Sequence, residues 1–236
     1  RELGICSRVV RLSENASRQQ LIETVAGLNL DEAVDGLLIQ LPLPAHLQDY
    51  AILESIRPEK DVDCFHPYNQ GRLLTGREGF KPCTPLGCIT LLKRSGIVLE
   101  GKKSVIAGRS NIVGKPLALM LMQENATITI CHSKTRSFKE EIQQAELLVM
   151  AIGQPEAIGG DDLKPGCIVV DVGQHRLADG RIVGDVDYQS ALSRASWITP
   201  VPGGTGPMTV AALMYNTLWA AARRRGLPFV YRLDGC

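Results

Sequence analysis

Apolar and polar positions divide the chain into two textures. From residue 104 onward, short apolar and β-branched runs recur: "SVIAG" (104–108), "ATITIC" (126–131), "LLVMAI" (147–152), "CIVVDVG" (167–173) and "SWITPV" (196–201). They return about every 20 residues with helix-like or turn-rich segments between them, which predicts a parallel sheet covered on both faces, a doubly wound α/β fold. One segment breaks the rhythm: after "DVGQH", the stretch "RLADGRIVGDVD" reads as a short hairpin near residues 176–187.

Before residue 85 the pattern changes. "SRQQLIETVAGLN" (17–29) predicts a helix with Ser17 as N-cap and Gln20 at the capping-box spacing. "DGLLIQLPLP" (35–44) predicts a strand with a proline-stiffened exit, and "PEKDVDCFHPYNQGRL" (58–73) fits neither period and reads as an ordered loop. "PLGCITLLKRSG" (85–96) predicts the helix that leads into the sheet region. "MTVAALMYNTLWAAARRR", with Pro207 at its start, predicts a long helix whose apolar breadth implies burial against the first region.

Composition narrows the function classes. Of 236 residues, 26 are basic and 25 acidic, so no global charge points to nucleic acid or an anionic membrane. No apolar run reaches the roughly 18 residues of a membrane span. No signal peptide is present, and the first residue is not methionine, so the reading allows for a missing start. Seven cysteines without a C-x-x-C pair, and four histidines without ligand spacing, suit a reduced cytoplasmic protein with no structural metal.

The chemistry gathers at "SVIAGRSNIVGKPLALMLM" (104–122), a strand, a glycine turn and a helix. Such a turn offers free N–H groups and a positive dipole end to a phosphate, although G-x-G-x-x-G is absent and many such glycines serve packing only. The second strand sharpens the expectation. An NAD site ends that strand with an acidic residue for the ribose 2′-hydroxyl. Here the strand ends "CHSKT", without a carboxylate, and Arg109 sits at the neighbouring turn. A guanidinium, a hydroxyl and an ammonium suit a 2′-phosphate, so the pattern favours NADP over NAD. "ITPVPGGTGPMT" (198–209) carries more glycine and proline than a plain connection needs, and would let backbone approach a planar ligand. In "KDVDCFH" (60–66), Asp61 and Asp63 are either solvated loop charges or, if one is buried, an acceptor for an amino-pyrimidine edge.

Together these segments resemble the bifunctional methylenetetrahydrofolate dehydrogenase/cyclohydrolase family. "GLLIQLPLP", "KDVDCFHP", "PCTPLG", "AGRSNIVGKPLALML", "ITICHSKT", "VMAIGQP", "VVDVG", "GDVD" and "TPVPGGTGPMTVAALMYNT" match it in order, across essentially the whole chain. The resemblance implies a folate-handling α/β domain (1–86 plus 208–236), a Rossmann-like NADP-binding domain (87–207) and a cleft between them. It implies oxidation of 5,10-methylenetetrahydrofolate by NADP, then hydrolysis of the methenyl product to 10-formyltetrahydrofolate, within one-carbon metabolism and in a homodimer. Residue by residue, Ile39, Gln40 and Leu41 would line the folate site, Asp63 would hold the pterin, and Pro202, Gly203, Gly204, Thr205 and Gly206 would close the far wall. Gln40 would also act in the hydrolysis, and Gly108, Arg109, Ser110, Ser133 and Gln174 would bind the cofactor.

Four departures stand out. Cys64 replaces a usual glycine, Thr205 a usual valine and Gln174 a usual isoleucine. The family's catalytic lysine belongs to a Tyr-x-x-x-Lys helix upstream of the segment that "RELGI" resembles, and no tyrosine here (50, 68, 188, 215 or 231) has lysine four residues on. The expectation is therefore a sequence lacking the family's N-terminal helix and strand. Two alternatives remain: another NADP dehydrogenase with the same sheet, against which "PVPGGTGPMT" argues, and a non-catalytic NADP- or folate-binding relative without the lysine.

Overall fold

The computed structural model describes residues 4–230 and 233; Tyr231, Cys236 and the first residues of "RELGI" lie outside them. The first region opens with helix α1 (Arg18–Leu30), started by the expected capping box: Ser17 accepts from the Gln20 backbone while Gln20 reaches back to the Ser17 N–H. A short helix α2 (Tyr50–Glu54) packs beneath it, and Leu21, Val25, Leu47, Ile52 and Ile56 form a small core.

Two expectations in this region are corrected. "DGLLIQLPLP" forms no strand; among the described residues its backbone pairs only through one parallel bridge, Leu37 to Asp61, too little for a ladder. The stretch 58–73 is not wholly irregular. Its second half is helix α3 (Pro67–Leu74), with Pro67 at the first position and the His66 ring capping the Tyr68 N–H. Helix α4 (Cys83–Arg94) then leads to the sheet.

The second region is β1 (Lys103–Ala107), α5 (Gly114–Gln123), β2 (Thr127–Cys131), α6 (Phe138–Gln143), β3 (Leu147–Met150) and β4 (Ile168–Asp171). A hairpin of β5 (His175–Arg176) and β6 (Ile182–Val183), helix α7 (Tyr188–Ala191), strand β7 (Trp197–Ile198) and helix α8 (Thr205–Arg224) complete it. The main sheet is parallel in the order β2-β1-β3-β4-β7, and β5–β6 is the expected irregular hairpin. Successive strand residues face opposite cores. Ile106, Val149 and Val170 pack under α4 and α5, whereas Val105, Leu148 and Val169 pack under α6 and α7. Both faces are covered, which explains why these strands read as unbroken apolar runs. Each such side chain contributes roughly 1.5–3 kcal/mol by leaving water.

Helix α8 returns to the first region as its apolar breadth predicts. It lies along α4, buries Ala220 with Val62, Cys64 and Phe80, and Asn216 donates to the carbonyls of Val62 (2.8 Å) and Lys81 (2.9 Å). At its end Arg224 pairs with Asp35 (3.1 Å) and Glu32 (2.9 Å). Among the described residues no helix is long and apolar enough to cross a membrane.

Candidate active site

Strand β1 delivers the chain to Gly108, whose N–H donates to the Cys131 carbonyl and whose φ is +125°. A Cβ here would lie 2.3 Å from the Ala151 carbonyl oxygen, so only glycine lets the end of β1 nest against the end of β3. Ser110 Oγ accepts from the N–H groups of Val113 (3.1 Å) and Gly114 (3.3 Å), which starts α5. The hydroxyl assigned to the cofactor by resemblance thus caps this helix. Asn111 ties the turn to the first region, donating to Tyr50 Oη (3.1 Å) and accepting from Gln70 (3.4 Å).

Because the chain leaves β1 for β2 on one side and returns to β3 on the other, the sheet order reverses between β1 and β3. Ligands of open parallel sheets bind outside the strand ends at such a point. Beyond β2, residues 132–135 form a tight turn in which Thr135 Oγ1 accepts from the His132 N–H (2.9 Å). Ser133, Lys134 and Arg136 are exposed there, as is Arg109 on the adjoining turn, and residues 131–137 include no carboxylate. Arg136 was not singled out by sequence, although its place three residues past Ser133 was available as a signal.

The carboxyl ends of β3 and β4 are locked by two buried acids that sequence reasoning did not assign. Asp171 accepts from the N–H groups of Gly173 (2.9 Å), Asp185 (3.0 Å) and Val186 (2.8 Å). Asp185 accepts from those of Ile152 (2.7 Å), Gly153 (3.1 Å) and Gln154 (3.0 Å), and from His175 Nε2 (2.7 Å). Each acid sits against the other's glycine: a Cβ on Gly184 would lie 1.9 Å from Asp171 Oδ2, and one on Gly173 2.4 Å from Asp185 Oδ1. This interlock accounts for the pairing of "DVG" with "GD" in the sequence. Thr205, the residue in place of a usual valine, is buried and donates to the Asp171 carbonyl (3.3 Å). Gln174 is exposed beside this lock, and Pro202, Gly203 and Gly206 are exposed on the loop before and into α8.

Burial raises the Asp171 carboxyl to about 6, against three amides that lower it, with Asp185 adding repulsion. The unfolded carboxyl titrates near 4, so the stabilising contribution of this group is complete below that pH and is lost as pH rises through 6. Between pH 5 and pH 7 that loss is about 1–1.5 kcal/mol. Urea titrations at both pH values should show it in the wild type, and Asp171→Asn should abolish this share of the slope. An unchanged slope in the variant would contradict the assignment.

In the first region, the two aspartates of "KDVDCFH" separate clearly. Asp61 is almost fully buried and accepts from the N–H groups of Phe65 (3.1 Å) and His66 (2.9 Å) and from Asn69 Nδ2 (2.8 Å). It shapes its own loop. Asp63 is partly exposed, with the Cys83 thiol and N–H against its carboxylate, and burial raises its pKa. Cys64 takes φ +61°, the left-handed conformation that glycine adopts most easily, while its thiol is buried and donates to the Phe80 carbonyl (3.1 Å). The backbone shape that a glycine would give is therefore retained. Lys60 is buried, and its ammonium donates to the carbonyls of Leu28 (3.1 Å), Asn29 (2.8 Å) and Asp31 (2.8 Å) at the end of α1, so it is not directed at a reacting centre.

Ile39 and Gln40 line a groove of about 1100 Å³ together with Val62, Leu213 and Met214. Gln40 is exposed, its amide donating to the Leu41 carbonyl (3.0 Å). Among the described residues the lining of this groove does not include Leu41, Asp63 or the 202–206 segment. Of the residues assigned by resemblance, the structure brings Ile39 and Gln40 into this groove and joins the glycine turn to the end of β2 through the Gly108–Cys131 hydrogen bond.

The fold and this arrangement define a dinucleotide-binding α/β protein with a second, smaller lobe across from the strand ends. Residues 82–225 match the tetrahydrofolate dehydrogenase/cyclohydrolase NAD(P)-binding domain, and residues 1–63 match the catalytic domain of the same family. The bifunctional protein FolD of Acetivibrio thermocellus is 51% identical over 220 residues, covering 93% of this chain and 77% of that protein. The crystal structure of the bifunctional FolD of Campylobacter jejuni superposes with a TM-score of 0.92 at 50% identity, covering 94% of this chain and 79% of that one. A Trypanosoma brucei methylenetetrahydrofolate dehydrogenase-cyclohydrolase, solved with NADP and an inhibitor, gives 0.86 at 40% identity, covering 90% and 75%. The chain belongs to the tetrahydrofolate dehydrogenase/cyclohydrolase family.

Proposed function

We infer that this chain acts in NADP-dependent oxidation of 5,10-methylenetetrahydrofolate to the 5,10-methenyl form and in its hydrolysis to 10-formyltetrahydrofolate. Family membership along both lobes supports the reaction. The observation that carries the choice of cofactor is the acid-free end of β2, where Ser133 and Lys134 lie exposed and Arg109 occupies the next turn. The cradle fits a dinucleotide: Gly108 and Gly114 bring bare backbone to the switch point, and a side chain on either would strike main-chain atoms.

In this reading residues 87–207 hold NADP and residues 1–86 with 208–236 handle folate. Arg109 and Ser133 hold the 2′-phosphate, Gly108 admits the pyrophosphate, and Ser110 keeps α5 aimed at it. Gln174 contacts the cofactor, and the Pro202–Gly206 loop closes the far wall of the folate site. Asp63, an acceptor in a partly desolvated loop, holds the amino-pyrimidine edge of the pterin, with Ile39, Gln40 and Leu41 along the folate and Gln40 orienting the water of the hydrolysis. When bound, NADP supplies the hydride acceptor; the protein's task is to hold two rings face to face at reacting distance. Cysteines 6, 64, 83, 88, 131 and 167 are all free, which supports a reducing cytoplasmic setting. The homodimer rests on the family resemblance.

The deciding experiment titrates NADP and NAD against the wild type and Arg109→Ala. Losing one charged hydrogen-bond contact should weaken NADP about ten- to a hundredfold and leave NAD nearly unchanged. Equal losses for both would remove Arg109 from the 2′-phosphate. Appearance of reduced nicotinamide with methylenetetrahydrofolate tests the reaction itself.

A further inference from the structure

We propose that His175 is a positioning residue for the cofactor, acting through Asp185 on the loop that follows β3. The role rests on the reading that NADP lies across the carboxyl ends of the strands. Asp185 is fully buried, and its two oxygens have four donors: Oδ2 takes Ile152 and Gly153, whereas Oδ1 takes Gln154 and His175 Nε2. Three consecutive amides of residues 152–154 thus hang on one carboxylate. That loop begins one residue past Ala151, whose carbonyl packs against Gly108 at the switch point. A shift of the loop is therefore felt at the turn that faces the pyrophosphate.

His175 is the one side-chain donor in this set, and at 20% exposure it closes Asp185 off from solvent. It is also covalently next to Gln174, the exposed residue assigned to the cofactor, and its backbone is fixed by pairing with Val183 in the β5–β6 hairpin. One 2.7 Å contact therefore fixes two things at once: the orientation of the carboxylate under the 152–154 amides, and the exit of the chain from β4 through Gln174. The adenosine end of the cofactor, near the end of β2, lies outside this set of links. A histidine that only stabilised the hairpin would affect both ends of the ligand alike; a positioning residue affects the end beyond β3.

The test compares the wild type with His175→Ala, His175→Asn (too short to reach Asp185) and His175→Gln (which places an amide N–H near the position of Nε2). NADP and adenosine 2′,5′-bisphosphate are each titrated. The alanine and asparagine variants should weaken NADP about tenfold or more, since a hydrogen bond to a buried charge is lost. The bisphosphate should stay within about twofold, and His175→Gln should recover most of the NADP affinity. Unchanged NADP affinity in a folded alanine or asparagine variant overturns the proposal, as do equal losses for both ligands. Failure of both variants to fold assigns the pair to the scaffold and overturns it too. A wild-type chain that binds no NADP would overturn the cofactor reading itself, a result distinct from all of these.

Discussion

Gly108→Ala should cost the protein its NADP binding, by about a hundredfold or more, because an ångström-scale displacement of a cofactor cradle has effects of that size. The methyl group would lie 2.3 Å from the Ala151 carbonyl oxygen and 3.0 Å from its carbon, both main-chain atoms that no rotamer change can clear. The φ of +125° adds strain that alanine does not bear easily. Either the end of β1 or the end of β3 must move, which should lower stability by at least about 2 kcal/mol through overpacking and strain. Folate binding, placed on the other lobe, should survive in the fraction that remains folded. Denaturant titration with nucleotide and folate titrations on the same sample separates the effects. Wild-type NADP affinity in this variant would show that the cofactor does not use this turn.

The second large effect concerns Asp61 and Asp63, two residues apart with opposite expectations. Asp61→Asn turns one acceptor oxygen into a donor facing the donors of Phe65, His66 and Asn69. A buried network broken in this way costs about 3–5 kcal/mol. Asp63→Asn should leave stability unchanged or slightly raised, since burial already disfavours its charge. Its cost should appear in folate affinity, about tenfold or more from one lost charged contact, with NADP affinity intact. If Asp63→Asn unfolds the protein while a folded Asp61→Asn loses folate, the two roles are exchanged.

These cases show what one chain can disclose about itself. The strands of the sheet were legible because burial on both faces writes a continuous apolar run, and α1 was legible because its capping box is local. "DGLLIQLPLP" misled because strandness is a property of a pair, and its composition says nothing of whether a partner backbone is at hand. Helix α3 was hidden by the acids before it, although Pro67 after His66 marked its start. In the candidate site, the glycine turn and the acid-free end of β2 could be read, since both lie within a few residues. The interlock of Asp171 with Asp185 could not: its partners lie 14 and 15 residues apart on either side of the β5–β6 hairpin, and the amides of residues 152–154 that Asp185 also holds lie 31 to 33 residues away on a different strand exit. The different duties of Asp61 and Asp63 depend on which carboxylate the loop encloses, a matter of three dimensions.

Asp171 also has a backbone, and that backbone is shared property. Its N–H donates to Thr199 Oγ1 (2.8 Å), its carbonyl accepts from Thr205 Oγ1 (3.3 Å), and its carboxylate holds the start of the Asp185 segment. The 202–206 loop and the 152–154 loop are thereby gauged from one residue. Hydride transfer is unforgiving of distance, and a separation measured through many soft links would accumulate error at each. Here the tolerance chain is a few hydrogen bonds long and anchored at the carboxyl end of β4. Thermal wandering of the loops on this side of the sheet is then filtered before it reaches the strand ends.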